Sequence, residues 1–186
     1  MSRNIEVDQV WWRNVQKGEF YNIERGHALE GGGGSLYIEI PSSLVEGTLE
    51  FLGCEPSELR DGEPIVINAH VFANPEESGL IEFRTKKGKR MRIARQNRRR
   101  PGSLRHPAWT SKYGFPATPD DLNMSRSEFD MYFPEGGLRI FIVKSVQGEY
   151  YAGFTKGPRP EDLPLNDPNS ALYPETSKTP GGLIRR

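Results

Sequence analysis

The sequence predicts a mainly β protein, built as a seven-stranded open or pseudo β-barrel with two short helices. Three observations predict it. Short segments that alternate apolar and polar residues recur through the middle of the chain, glycine and proline turns separate them, and few segments carry helix signals. Many short strands with short connecting helices are typical of a closed or nearly closed antiparallel barrel. The 186 residues are enough to bury a core of that size.

Each strand is predicted from its own pattern and the turn residues around it. In the first, Leu36, Ile38 and Ile40 alternate with more polar residues, as in a strand with one buried face. The turns before and after the sixth strand contain Gly136 and Gly148. The predicted strands are Ser35–Ile40, Pro64–Phe72, Gly79–Thr85, Met91–Arg95, Phe129–Phe133, Leu138–Val143 and Glu149–Phe154.

Two helices fit the gaps between these strands. The first is predicted to run through Phe51 and to end at Gly53, with Ser42 or Ser43 as its N-cap. The second is a brief helix near residues 119–124, predicted from a capping box at its start.

The end of the chain differs in composition from the rest. The 31 residues from Lys156 to Arg186 hold 6 of the 15 prolines and few large apolar side chains. Such a segment is typical of an extended linker. We therefore predict a barrel domain over residues 1–157 and a Pro-rich linker over residues 158–186.

Charge is distributed unevenly along a chain whose total is neutral. No acidic residue lies between Phe83 and Pro119, where 12 of the 25 basic residues are found, so this window carries +12 and the rest −12. Eleven of these cations lie within Arg84–Arg105, too densely to pair with nearby carboxylates. A cluster of this kind repels itself unless an anion binds to it, which indicates a polyanion site and most often nucleic acid.

Composition excludes several other classes of protein. The sequence has no apolar run of about 18 residues, as a membrane span requires, and no secretory signal at its N-terminus. A single cysteine, Cys54, excludes an intramolecular disulfide framework and a cysteine zinc site. We expect a reducing cytoplasm and no cofactor in this domain.

No catalytic constellation is found in the sequence. Restriction-type nucleases hold Mg²⁺ on carboxylates with a lysine two residues after one of them, and none of the 25 acidic residues has a lysine at that spacing. The glycine run 31–34 lacks the Gly-Lys-Ser/Thr ending of a phosphate loop. Cys54 is expected to be a packed thiol, and His70 a satisfied residue of a strand. We therefore predict no catalytic residue and no metal ligand, and hence a domain that is not itself an enzyme.

Two loops at the rim of the predicted barrel carry side chains suited to nucleic acid. In the major groove, arginine can form two hydrogen bonds with guanine, and asparagine or glutamine can form two with adenine. A carboxylate can accept a hydrogen bond from the amino group of cytosine. The candidates for base contacts are Glu24, Arg25, His27, Arg92, Arg95 and Gln96. The candidates for phosphate contacts are Lys86, Lys87, Lys89, Arg90, Arg98, Arg99 and Arg100.

The run 31–45, Gly-Gly-Gly-Gly-Ser-Leu-Tyr-Ile-Glu-Ile-Pro-Ser-Ser-Leu-Val, resembles the N-terminal segment of EcoRII-type restriction enzymes. Ile65–Val71, Arg92–Arg95 and Leu138–Val143 fit the same domain in the same order, so the resemblance covers roughly residues 9–157. It implies the DNA-binding pseudobarrel that this domain shares with the plant B-three transcription factors. Two arms grip the DNA major groove in that fold, and here they would be about residues 23–33 and 86–96.

The resemblance also implies a role. In EcoRII-type enzymes this domain binds an effector copy of the recognition site and regulates cleavage, while a separate C-terminal domain cuts. The implied function is sequence-specific double-stranded DNA binding by the effector domain of a type IIE restriction endonuclease, which reads a short CCWGG-like site. Mg²⁺ would be needed only by the catalytic domain. The implied partners are duplex DNA and that nuclease domain, with no membrane, in a bacterial cytoplasm.

Three other functions are compatible with the sequence. The first is an RNA-binding or ribosome-associated β-barrel, which would explain the basic segment equally well. The second is a small nuclease with an unrecognised active site. The third is a protein-interaction module whose basic arm meets an acidic partner.

Overall fold

The computed structural model describes residues 5–15, 37–86, 90–94, 101–102, 104, 109, 138–156 and 181–185. Within these residues the chain forms eight strands, one α-helix and one short 3₁₀ helix at Pro56–Glu58. The strands are β1 Val7–Val15, β2 Tyr37–Ile40, β3 Pro64–Val71, β4 Asn74–Lys86, β5 Arg90–Ala94, β6 Leu138–Ser145, β7 Tyr150–Lys156 and β8 Gly181–Arg185, and the α-helix is α1 Ser42–Phe51. In this part of the chain, no helix is long and apolar enough to cross a membrane.

The eight described strands form one sheet, in the order β2-β5-β4-β3-β7-β6-β1-β8. Neighbouring strands are antiparallel except β3 and β7, which run parallel. Helix α1 packs on β8 at one edge of the sheet and on β5 next to the other edge. The two ends of the sheet are also joined by a hydrogen bond: Arg13 of β1 donates from Nε to the carbonyl oxygen of Glu39 on β2, at 2.9 Å. The sheet is thus nearly closed into a barrel, which confirms the predicted mainly β, barrel-like class.

The interior of the barrel is apolar and centred on Trp11. This residue is fully buried, and its ring meets that of Phe83 edge-on, with 6.0 Å between the ring centroids. Its indole Nε1 donates to the hydroxyl of Thr48 at 2.8 Å, and that hydroxyl donates to the carbonyl of Leu44 at 2.6 Å. One side chain therefore connects β1, β4 and α1.

Six of the predicted strands coincide with described strands. They are the segments now numbered β2 to β7, although β4 begins earlier than predicted, at Asn74. The predicted count of seven is too low, because the described residues alone hold eight strands. The predicted strand 129–133 and the predicted helix near residues 119–124 lie outside the described residues.

Two strands were not predicted, and each conceals its pattern for a physical reason. In β1, Trp11 and Trp12 are adjacent and both buried, although they point to opposite faces, so the apolar-polar alternation is lost. In β8, Gly181 and Gly182 stand where a strand pattern would have bulky residues, because Leu44 and Trp12 leave no room for a Cβ atom. A Cβ on Gly182 would lie 2.7 Å from the indole nitrogen of Trp12. The linker prediction for 158–186 is therefore wrong for Gly181–Arg185, which pairs with β1.

The predicted helix 42–51 is confirmed, but its predicted N-cap is wrong. The N-cap is Pro41, without a side-chain cap, and Ser42 is the first helical residue. At the other end, Gly53 has φ +71° and donates to the Glu50 carbonyl, while Cys54 donates to that of Leu49. This is a Schellman ending, in which glycine takes the left-handed conformation at little cost.

Cys54 and His70 have the structural roles that were predicted for them. The Cys54 thiol is half-buried beside the core, with Sγ 3.7 Å from the Leu52 carbonyl. His70 donates from Nδ1 to the Pro75 carbonyl at 2.9 Å and stacks on Tyr151.

The outer surface of the barrel differs from one side to the other. On β1, β6 and β7 even the outward residues Trp12, Val143 and Tyr151 are buried. The guanidinium of Arg139 lies over the Trp12 ring, 4.5 Å from its centroid. On β2, β5 and the end of β4, by contrast, the outward residues Glu39, Arg84, Lys86, Arg90 and Arg92 are charged and at least partly exposed.

The end of α1 makes stability depend on pH through Tyr150. Its hydroxyl donates to the Phe51 carbonyl at 3.2 Å, and the Lys144 ammonium donates to the same oxygen at 3.0 Å. Burial, with a smaller effect of the Cys54 thiol, raises the pKa of Tyr150 above its ordinary value of 10.0. The neutral phenol is thus favoured in the folded state. Its contribution is complete below about pH 10 and is lost as the pH rises through the raised pKa.

We therefore expect the free energy of unfolding to fall above about pH 10, and to fall less steeply in Tyr150→Phe. At neutral pH this variant should lose only about 0.5–1.5 kcal/mol, for one hydrogen bond. Urea unfolding of both proteins between pH 8 and 11.5 (about two units around the ordinary pKa) checks this. Identical pH slopes for the two proteins would show that Tyr150 does not titrate as argued.

Candidate nucleic-acid interface

The basic segment of the sequence begins in a β-hairpin formed by β4 and β5. Alternation along these strands decides which side chains point outward. Phe83 and Ile93 pair with each other and are fully buried inside the barrel. The opposite face of the two strands carries Arg84 and Lys86 on β4 and Arg90 and Arg92 on β5, together with the buried residues Glu82 and Ala94.

Strand register places these four cations in two directly opposed pairs. Arg84 lies opposite Arg92, and Lys86 lies opposite Arg90. Directly opposed residues have Cβ atoms about 4.5–5.5 Å apart, and like charges at that distance destabilise a sheet. Opposed cations of this kind need counter-charges nearby, and Glu82, which forms an ion pair with Arg84, supplies one of them.

Edge strand β2 adds one carboxylate to this surface. Glu39 lies opposite Arg92 across β2 and β5, so a row of Glu39, Arg92 and Arg84 crosses three neighbouring strands. Together with Lys86 and Arg90 these residues line an open depression of about 100 Å³. We call this surface the basic face. Four cations and one carboxylate give it a positive charge, and its openness suits an extended ligand.

One cation of the basic face forms an ion pair with a buried carboxylate on the same side of β4. The Nε of Arg84 forms an ion pair with the carboxylate of Glu82, whose side chain is only 5% exposed. The amide of Glu82 donates to the carbonyl of Gly102 at 2.9 Å. Since a buried carboxylate is costly without a partner, Arg84 is needed for stability as well as for charge. Lys86 and Arg90 are exposed at the surface of the barrel and Arg92 is half-buried there.

The backbone under the basic face is held firmly on both sides. Ile38 and Ile40 of β2 are buried in the core, and the carbonyl between them, that of Glu39, accepts the hydrogen bond from Arg13. On β5, Met91 is likewise buried. The outward side chains therefore project from a rigid sheet, as readout of a groove requires.

Three of the residues predicted to contact DNA lie on the basic face. Lys86 and Arg90 were predicted to bind phosphate and Arg92 to contact a base, and the fold brings all three together. The other predicted residues lie outside the described residues: Glu24, Arg25, His27, Lys87, Lys89, Arg95, Gln96, Arg98, Arg99 and Arg100.

Two residues of the basic face were missed as site residues. Arg84 belongs to the polar side of a predicted strand and Glu39 to that of another, so alternation alone marked both as outward. Their proximity depends on the pairing of β2 with β5, which joins parts of the chain about 50 residues apart. Sequence periodicity does not carry that information.

In the part of the chain that the structure describes, no group of three or more histidine, cysteine, aspartate or glutamate side chains is placed to hold a metal ion. Comparisons with protein-family models, with curated proteins and with solved structures gave no match to this chain.

Proposed function

We propose that this chain is a sequence-specific double-stranded DNA-binding domain, which grips the major groove with the basic face. The observation that carries the proposal is the pair of directly opposed cation pairs, Arg84 with Arg92 and Lys86 with Arg90. The domain would act as the effector-binding part of a type IIE restriction enzyme, with a B-three-like pseudobarrel and a short CCWGG-like target. Cutting would be left to a separate domain that uses Mg²⁺.

Charge favours a polyanion over a small anion. The cations of the basic face are spread along two strands and open to solvent, whereas a site for a single small anion is usually concave and enclosed. Lys86 and Arg90 at the surface suit phosphates, while Arg92, held between two strands, suits a base.

Shape favours DNA over duplex RNA. The B-form major groove is about 12 Å wide and admits a two-stranded β-ribbon, whereas the A-form major groove is too narrow for side chains to enter. Strands β4 and β5 lie between β3 and β2 in the sheet, and their outward arginines have the paired donors that match guanine in the wider groove.

The proposal is tested by selecting bound duplexes from a random pool and measuring the affinity of the purified chain for the selected and for a scrambled duplex. Fluorescence anisotropy at a fixed salt concentration should give at least about 1,000-fold tighter binding of the selected duplex. A structured RNA is the competitor, and plasmid with Mg²⁺ is the substrate for a cleavage control.

Each alternative has its own signature in this experiment. Equal affinity for selected and scrambled duplexes would reject sequence readout. Displacement of the DNA by a lower concentration of RNA would favour the RNA-binding alternative. Specific cutting of the plasmid by this chain alone would show an active site within it. Loss of all nucleic-acid binding at modest salt would favour an acidic protein partner.

A further inference from the structure

We infer that Glu39 is a specificity-determining residue, whose carboxylate accepts a hydrogen bond from the amino group of one cytosine in the target. The inference rests on the proposed function and adds to it a base that β2 reads. The sequence alone left the cytosine contact to the 23–33 arm or to an amide side chain, because residues 83–119 contain no carboxylate.

Glu39 is placed where such a contact can form. It lies directly opposite Arg92, with Arg84 on the next strand, and all three line the same depression. Strands are about 4.8 Å apart, so the row spans about 10 Å, which is less than the width of the major groove of about 12 Å. The three side chains can therefore face one groove together.

The Glu39 carboxylate is also available to a ligand. Its side chain is exposed, and the ion pairs among the described residues do not involve it. The main-chain carbonyl of Glu39 accepts a hydrogen bond from Arg13 at 2.9 Å, which holds the backbone of β2 without occupying the side chain.

The chemistry of the groove restricts what a carboxylate can meet there. Phosphates, guanine and the thymine carbonyl present negative charge or acceptors, which repel it. Adenine presents its amino donor beside the N7 acceptor, whereas cytosine presents an amino donor with no acceptor next to it. A carboxylate in a surface of cations thus has one favourable base. Beside it, Arg92 is suited to guanine, so Glu39 and Arg92 together match one C·G pair or two adjacent ones.

The experiment uses the whole chain and the selected duplex, with each base pair of the motif replaced in turn. We expect the wild type to prefer cytosine about tenfold over the other bases at one position of the motif. Glu39→Ala should lose this preference and keep the wild-type preferences at the other positions. It should also bind the scrambled duplex slightly more tightly, because one negative charge is removed. Glu39→Gln should move the preference at that position toward adenine, since an amide matches the adenine donor and acceptor.

The matched control is Glu76→Ala, which removes the same charge from the same sheet. Glu76 is exposed at the far end of β4, eight residues from Arg84 or about 26 Å along the strand. It should leave discrimination unchanged. Wild-type discrimination in Glu39→Ala, or an equal loss of affinity for every duplex, would overturn the role of Glu39 while leaving the proposed function in place. A wild-type chain that prefers no sequence would overturn both.

Discussion

A variant with Lys86→Gln, Arg90→Gln and Arg92→Gln should bind every duplex at least about 100-fold more weakly than the wild type. Each phosphate contact contributes about 0.9 to the slope of log K against log salt, so the slope should become shallower by about 2 to 3. Arg84 is left in place because its ion pair with Glu82 supports the fold. Anisotropy titrations between 50 and 200 mM salt (about the range in which this effect is large) give both quantities.

Two further variants separate charge from shape. Arg90→Lys with Arg92→Lys keeps the charge but loses the planar fork that binds guanine through two hydrogen bonds. We expect it to retain its affinity for the scrambled duplex and to lose much of its preference for the selected one. Arg185→Gln removes one cation from β8, where Arg185 pairs with Glu50 outside the basic face, and should change little. An unchanged salt slope in the triple variant would mean that DNA binds elsewhere.

Replacing Trp11 by alanine should have the largest effect on stability, about 3–5 kcal/mol. The side chain is fully buried, and its loss would open a cavity between β1, β4 and α1 and remove the hydrogen bond to Thr48. The free energy of unfolding of a small domain is only about 5–15 kcal/mol, so this single change would remove a large fraction of it. Urea unfolding followed by circular dichroism measures it.

Two comparisons make the Trp11 prediction specific. Trp11→Phe keeps an aromatic ring edge-on to Phe83 but loses the indole donor, and should cost less than the alanine variant. Val146→Ala, at a residue 56% exposed in the turn between β6 and β7, should stay within about 0.5 kcal/mol of the wild type. A Trp11→Ala protein within about 1 kcal/mol of the wild type would contradict the central place given to this residue.

Much of the fold could be predicted from the sequence because most strands have one buried face. Along β3, Ile67, Ala69 and Val71 are buried in turn, and the alternation is plain in the sequence. The prediction failed where a strand is buried on both faces, as at Trp11 and Trp12, or where glycine admits a close neighbour, as in β8. In both cases the pattern depends on contacts with residues that are distant in the sequence.

The candidate site was predictable in part for the same reason. Charge density located the cations of β4 and β5, which lie close together in sequence as well as in space. The carboxylate of Glu39 and its opposition to Arg92 could not be predicted, because they depend on the choice of β5 as the neighbour of β2. A pairing between distant strands is decided by the packing of the whole barrel, and local patterns do not determine it.

The most direct test of the DNA-binding proposal is a map of the residues that sense the DNA. Amide chemical shifts of the ¹⁵N-labelled chain would be followed by NMR while the selected duplex is added. The largest changes should fall on β2, on Arg84 and Lys86 at the end of β4, and on β5. If those amides stay unchanged while β8 and the exposed side of α1 respond, the basic face is not the DNA-binding surface.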